Sequence, residues 1–66
     1  MFDGTKLKTL RETAGLTTYQ LGEAAGVSQS MIAHMERGVK VPGLEVIARI
    51  AEILGATVDE FIKKKE

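Results

Sequence analysis

Four polar side chains and one alanine recur at helical spacing in the middle of the chain. They follow the pattern i, i+1, i+4, i+5 and i+8, and they are Gln29, Ser30, Ala33, His34 and Arg37. This spacing brings them to one side of a helix. Amide, hydroxyl, imidazole and guanidinium groups can hydrogen-bond to base edges and phosphates, and no acidic residue shares this face. An ordinary solvated helix face has a similar composition. The spacing alone therefore does not distinguish a face that binds nucleic acid from a face that only contacts solvent.

The chain offers little that could support catalysis. It has no cysteine and a single histidine, which excludes disulfides, thiolate chemistry and a Cys-rich or His-rich metal site. His34 is the only candidate base for a catalytic triad, and the glycines form no phosphate-binding motif. A chain of 66 residues also has little room for a cleft. We therefore expect no enzyme activity, no cofactor, no metal and no small-molecule ligand.

Nine basic and nine acidic residues give a formal net charge of zero. This balance argues against nonspecific binding to polyanions, although a local basic face remains possible because only nearby charges act within a Debye length. The acidic excess lies in the C-terminal third despite the Lys63-Lys64-Lys65 run, so we expect any nucleic acid to meet the N-terminal two-thirds. No segment is apolar enough to span a bilayer and no secretion signal is visible, which favours a cytoplasmic protein without a membrane partner.

The elements that must position these side chains are predicted from capping signals. Thr17 with Gln20, and Thr57 with Glu60, have the spacing of capping boxes, and Ser28 is a plain N-cap. Four glycines divide the chain into pieces of helical length. We predict one all-α domain over residues 1–66 with five helices: Asp3–Ala14, Thr18–Ala25, Gln29–Arg37, Leu44–Leu54 and Val58–Lys64.

Apolar residues at spacings of three and four predict the buried stripe of each helix. The predicted core is Leu7, Leu10, Ala14, Leu21, Ala24, Ala25, Ile32, Met35, Leu44, Ile47, Ile50, Ala51, Leu54, Val58, Phe61 and Ile62. Arg11 and Glu36 also fall on inward faces of their helices. Because an unpaired buried charge is costly, we predict an ion pair between them, which would turn the acid of the third helix inward.

The second and third helices are short, and the turn Ala25-Gly26-Val27-Ser28 joins them, which is typical of a helix-turn-helix unit. Other residues fit a known pattern. They are Gly15-Leu16-Thr17, Leu21, Ala25-Gly26-Val27-Ser28, Ile32, Glu36-Arg37-Gly38, Pro42, Leu44, Ile47, Ala51, Leu54-Gly55, Val58-Asp59 and Phe61. With these residues, nearly the whole chain resembles the helix-turn-helix family of phage repressors and Cro proteins.

The resemblance implies a compact five-helix lambda-repressor-like fold and a sequence-specific regulator of transcription. The third helix would enter the major groove and the second would cross the DNA backbone. The residues expected to read bases are Gln29, Ser30, Ala33 and His34, and those expected to hold the backbone are Thr18, Arg37 and Lys40. Thr18 stands where the family often has Gln, Gly22 replaces a usual Ala, and Gly43 replaces a polar cap. These departures leave the operator sequence undetermined.

The same resemblance favours a dimeric repressor on a palindromic operator in double-stranded DNA. Val46 and Ile53 fall on the flank of the fourth helix, and Phe61 and Ile62 lie nearby, so we expect a homodimer through these residues. Such a dimer places two recognition helices about 34 Å apart. The alternative is a protein-interaction module of the same fold without DNA binding, such as an antitoxin-like or repressor-regulating partner. The zero net charge favours this alternative.

Overall fold

Side-chain caps begin the first three α-helices, and a left-handed glycine, Gly55, ends the fourth. The computed structural model describes residues 1–63. Its helices are α1 (Gly4–Thr13), α2 (Thr18–Ala25), α3 (Gln29–Glu36) and α4 (Leu44–Leu54). The side chains of Asp3, Thr17 and Ser28 each accept a backbone N–H at the start of α1, α2 and α3. The predicted box at Thr17 is complete, since the Gln20 side chain also accepts the Thr17 N–H at 2.9 Å. The first four helix predictions are therefore confirmed to within one residue at each end.

The predicted fifth α-helix is wrong. Residues Val58–Phe61 form a single turn of 3₁₀ helix, and the backbone at Ile62 is extended. The chain there pairs with the N-terminal segment in an antiparallel bridge between Phe2 and Ile62. The Asp3 N–H donates to the Phe61 carbonyl at 2.6 Å, and the Lys63 N–H donates to the Met1 carbonyl at 2.7 Å. These bonds use backbone groups that a longer helix would need. Lys64, where that helix was predicted to end, lies outside the described residues.

The core is aliphatic, with two phenylalanines where the chain ends meet. Its wholly buried large side chains are Phe61, Leu7, Leu21, Ile32, Met35 and Ile50. Phe2, absent from the predicted core, is buried and stacks on Phe61 with 6.0 Å between ring centroids. Leu10, Leu54 and Val58 are partly buried against this core.

Four predicted core residues are exposed: Ala14, Ala24, Leu44 and Ile62. Leu44 opens α4 and is 70% exposed. Its side chain tilts toward the N-terminal end of its helix, where only the loop lies. Ile62 is exposed because extended backbone alternates its side chains between faces, and Phe61 takes the inward one. None of the helices within residues 1–63 is long and apolar enough to cross a membrane.

Candidate nucleic-acid interface

The joint between α2 and α3 is built by close backbone contact. Gly26 closes α2 in the left-handed region, with φ 76°, and Ser28 then caps α3. Gly22 lies so close to this turn that a Cβ atom there would be 2.8 Å from the Val27 carbonyl oxygen. Arg49 of α4 donates to the Ala25 carbonyl at 2.8 Å and satisfies the end of α2. The turn therefore holds α3 at a fixed angle to α2.

Helix α3 separates an apolar inner face from a polar outer face. Ile32 and Met35 are wholly buried, whereas Gln29 and Ser30 are exposed. Ala33 and His34 are partly exposed on the same outer side. The structure thus brings the four predicted base-reading residues to one accessible surface. The helix is about 12 Å long, close to the width of the major groove.

The only acidic residue of α3 is turned away from that surface. Arg11 donates through Nε to Glu36 Oε2 at 2.5 Å and through Nη2 to Oε1 at 3.1 Å. Its remaining nitrogen, Nη1, donates to the Leu16 carbonyl at 2.7 Å. The side chains of Arg11 and Glu36 are only 11% and 7% exposed. The predicted ion pair is present, and its hydrogen bonds raise the pKa of Arg11 above its usual value.

A contact that sequence reasoning missed joins the first residues of α2 and α3. The Gln29 amide donates through Nε2 to the Thr18 hydroxyl at 3.1 Å. This bond uses one of the two amide protons and leaves the other proton and Oε1 available to a ligand. From the sequence, Thr18 was expected to hold the DNA backbone and Gln29 to read bases, with no contact between them. The signal that could have joined them is that each opens one helix of the same helix-turn-helix unit.

Arg37 and Lys40 lie at the opposite end of α3 from Gln29. Arg37 is the C-cap residue, and Lys40 lies in the following loop; both side chains are exposed. The loop is tied back to the helix, because the N–H groups of Val39 and Lys40 both donate to the His34 carbonyl, at 2.9 and 3.3 Å. The basic residues are therefore held just beyond the last turn of α3.

The expected dimer surface is changed at one residue. Val46 and Ile53 of α4 are partly exposed, and Ile62 is 39% exposed. Phe61 has no exposed surface, so it is corrected to a core residue that a partner subunit could not touch. No three His, Asp or Glu side chains within residues 1–63 are placed to hold a metal ion.

A profile described as a helix-turn-helix domain matches residues 4–61. The chain belongs to this helix-turn-helix family. Over 56 residues the domain is 34% identical to an uncharacterized HTH-type transcriptional regulator of Mycobacterium tuberculosis. That match covers 85% of this chain and 40% of the mycobacterial protein, so the chain spans well under half the length of that relative.

Solved structures share the architecture of this helix-turn-helix domain. The restriction-modification controller protein C.AhdI of Aeromonas hydrophila superposes with a TM-score of 0.81 at 30% identity, over 86% of each chain. The P22 c2 repressor, solved in complex with a synthetic operator, superposes with a TM-score of 0.90 over 98% of each chain at 23% identity. The fold is therefore all-α and lambda-repressor-like, with four helices and a 3₁₀ turn within residues 1–63. The profile match confirms the predicted resemblance to the helix-turn-helix family. The mycobacterial regulator and C.AhdI agree with the expectation that the chain is not an enzyme.

Proposed function

We propose that this domain is a sequence-specific DNA-binding regulator of transcription that inserts α3 into the major groove. The observation that carries the proposal is the outer face of α3, which is accessible and free of carboxylates because Glu36 is bound to Arg11. The mycobacterial relative is an HTH-type transcriptional regulator, and the P22 c2 repressor, which shares the fold, was solved with a synthetic operator. We place the protein in the cytoplasm. We also take residues 1–66 as one domain.

Base reading is assigned to the N-terminal half of α3. Gln29 is exposed and held by Thr18, and a glutamine amide can pair with adenine through two hydrogen bonds. Ser30 and His34 lie on the same side and offer further hydrogen-bonding groups. The Ala33 methyl group suits contact with a thymine methyl. Gln29 is therefore the first candidate for direct readout.

Backbone contacts are assigned to both ends of the helix-turn-helix unit. The Thr18 hydroxyl accepts from Gln29 and keeps its own proton to donate to a phosphate. The first N–H groups of α2 favour an anion at the same place. Arg37 and Lys40 lie beyond the far end of α3, where the strand that borders the groove would pass.

The proposal includes a homodimer that represses from a palindromic operator. Val46 and Ile53 of α4, with Ile62 beside the 3₁₀ turn, are apolar and not fully covered by the monomer. A two-fold dimer would set two α3 helices about one DNA turn apart, about 34 Å. Sedimentation of the free protein and of its complex with a palindromic duplex tests this part. Monomer alone in both samples would contradict it.

Selection of bound duplexes from a random pool tests the proposed function. We expect a preferred sequence, and we expect its affinity to fall as salt rises because bound cations release counterions from DNA. Gln29→Ala should weaken the selected site by about 1–3 kcal/mol and relax preference at one base pair. Lys40→Ala should weaken matched and mismatched duplexes alike and lower the salt slope by about one. Equal losses on both duplexes for Gln29→Ala would make its role positional.

A protein-interaction module of the same fold is the second candidate. Its supporting observation is the formal net charge of zero, which is unusual for a domain that must bind a polyanion. In that case no duplex would be bound at any salt concentration, and selection would return no preferred sequence. The acid-free surface of α3 favours the DNA-binding proposal over this one.

A further inference from the structure

A cavity of about 270 Å³ lies at the C-terminal end of α3, between that end of the helix-turn-helix unit and the paired ends of the chain. Among residues 1–63, the cationic side chains that line it are Arg37 at the end of α3, Lys40 in the next loop and Lys63 near the C-terminus. Lys63 is far from the other two in sequence. It reaches this place because its N–H donates to the Met1 carbonyl and the neighbouring Ile62 pairs with Phe2.

The described side chains that line this cavity carry more positive than negative charge, although the protein has no net charge. Among the residues that the structure describes, Glu36 is the one carboxylate in the cavity wall, and it already accepts two hydrogen bonds from Arg11. Its charge is balanced within the fold, so the charges of Arg37, Lys40 and Lys63 are left to act on a ligand. Clustered charges of one sign on a neutral molecule concentrate the local potential and attract an anion.

The shape and lining of the cavity favour a phosphodiester over a free anion. Phe2 and Val41 contribute apolar surface beside the cations. A sugar-phosphate backbone presents both a charged phosphate and the carbon atoms of deoxyribose, whereas inorganic phosphate has no apolar part. The cavity also adjoins the C-terminal end of α3. This helix is about 12 Å long, so its base-reading residues can lie in the groove while its C-terminal end reaches the DNA strand that borders the groove.

We propose that this cavity binds a backbone phosphate of DNA, with Lys63 as a contact from the joined chain ends. The inference rests on the proposed function and extends the DNA-binding surface beyond the helix-turn-helix unit. Lys63 belongs to the acidic C-terminal third of the chain. The sequence indicated that DNA contacts the N-terminal two-thirds alone, so this contact comes from a part of the chain that the sequence did not indicate. Lys63 adds one phosphate contact per subunit and carries no sequence information.

The test compares Lys63→Gln with Lys8→Gln in binding to the selected duplex and to a mismatched one. Lys8 has the same charge, is exposed in α1 and does not line the cavity. Lys63→Gln should reduce affinity about fivefold to tenfold at 0.1 M salt, equally for both duplexes, and lower the slope of log affinity against log salt by about 0.9. Lys8→Gln should change neither quantity. Melting of Lys63→Gln should match the wild type, because the fold uses only the Lys63 backbone N–H.

Amide spectra of the wild type with duplex DNA, and separately with inorganic phosphate, distinguish the two sources of phosphate. Duplex binding should shift the amide signals of Gly38 and Lys63, which line the cavity. If inorganic phosphate shifts them while Lys63→Gln leaves the DNA salt slope unchanged, the site takes free phosphate and the DNA contact is overturned. If the wild type binds DNA and Lys63→Gln binds equally well, the Lys63 contact is overturned and the proposed function is not. A wild type that binds no duplex overturns the proposed function together with the contact.

Discussion

The two ends of α3 are held in different ways. At the N-terminal end the contacts are local: Gly22 meets the Val27 carbonyl, and Gln29 bonds Thr18 eleven residues earlier. At the C-terminal end they are long-range: Glu36 bonds Arg11 across 25 positions. Gly4 of α1 packs directly on the last carbonyl groups of α3. A Cβ atom at Gly4 would lie 2.6 Å from the Glu36 backbone carbonyl oxygen. The local end sets the angle of the recognition helix, and the long-range end fixes that helix to the rest of the domain.

The largest effect is expected from breaking the long-range end at its ion pair. Glu36→Gln leaves Arg11 charged and nearly buried, which should cost about 3–5 kcal/mol of unfolding free energy. The matched control is Glu45→Gln, which breaks an exposed pair with Arg49. Exposed pairs contribute about 0–1 kcal/mol. Denaturant unfolding of both variants checks the difference, and equal losses would show that the Arg11 pair is no stronger than a surface pair.

A second variant opens the joined chain ends. Phe2→Ala removes a buried ring that stacks on Phe61, and it should cost about 3 kcal/mol, the low end for such a truncation. Phe2→Leu keeps most of the apolar volume and should cost less than half as much. The amide signals of α2 should stay near their wild-type positions in both variants. A loss below 1 kcal/mol for Phe2→Ala would contradict the packing of these ends on the core.

The local end is broken by adding one methyl group. Helix propensity alone predicts that Gly22→Ala stabilises α2 by about 1 kcal/mol. The contact with the Val27 carbonyl predicts the opposite sign, a loss of about 1–3 kcal/mol, because backbone cannot move aside as a flexible side chain can. Gly43→Ala is the control, since nothing lies within 4 Å of its Cβ position. Stabilisation by Gly22→Ala would show that the joint between α2 and α3 is loose enough to admit a methyl group.

The smallest effect is expected from removing the Thr18 hydroxyl. Thr18→Val removes the acceptor for Gln29 and keeps the shape of the side chain. Discrimination between matched and mismatched duplexes should fall, with a coupling to Gln29→Ala of about 0.5–1.5 kcal/mol in a double-mutant cycle. Thr9→Val, on the exposed surface of α1, should change nothing. Additive losses would mean that Thr18 acts on the DNA backbone alone.

Local signals in the sequence predicted the first four helices, since caps such as Thr17 and Ser28 act within three residues of themselves. The Arg11–Glu36 pair was also predictable, because two opposite charges on inward faces must meet. The 3₁₀ turn and the burial of Phe2 were not, because they depend on pairing between the two ends of the chain. The Thr18–Gln29 bond needs the angle between two helices, which no local pattern specifies.

The pairing of Phe2 with Ile62 closes a loop that includes nearly all of residues 1–63. The entropic cost of closing a loop grows with its length. This pairing is therefore least favourable before the helices between its partners have formed. The two ends should therefore join late in folding and separate first in native-state fluctuations. Their amide protons, at Asp3 and Lys63, should exchange with solvent well before those of Leu21 and Ile32. While the ends are apart, Lys63 would leave the cavity as α2 and α3 remain folded.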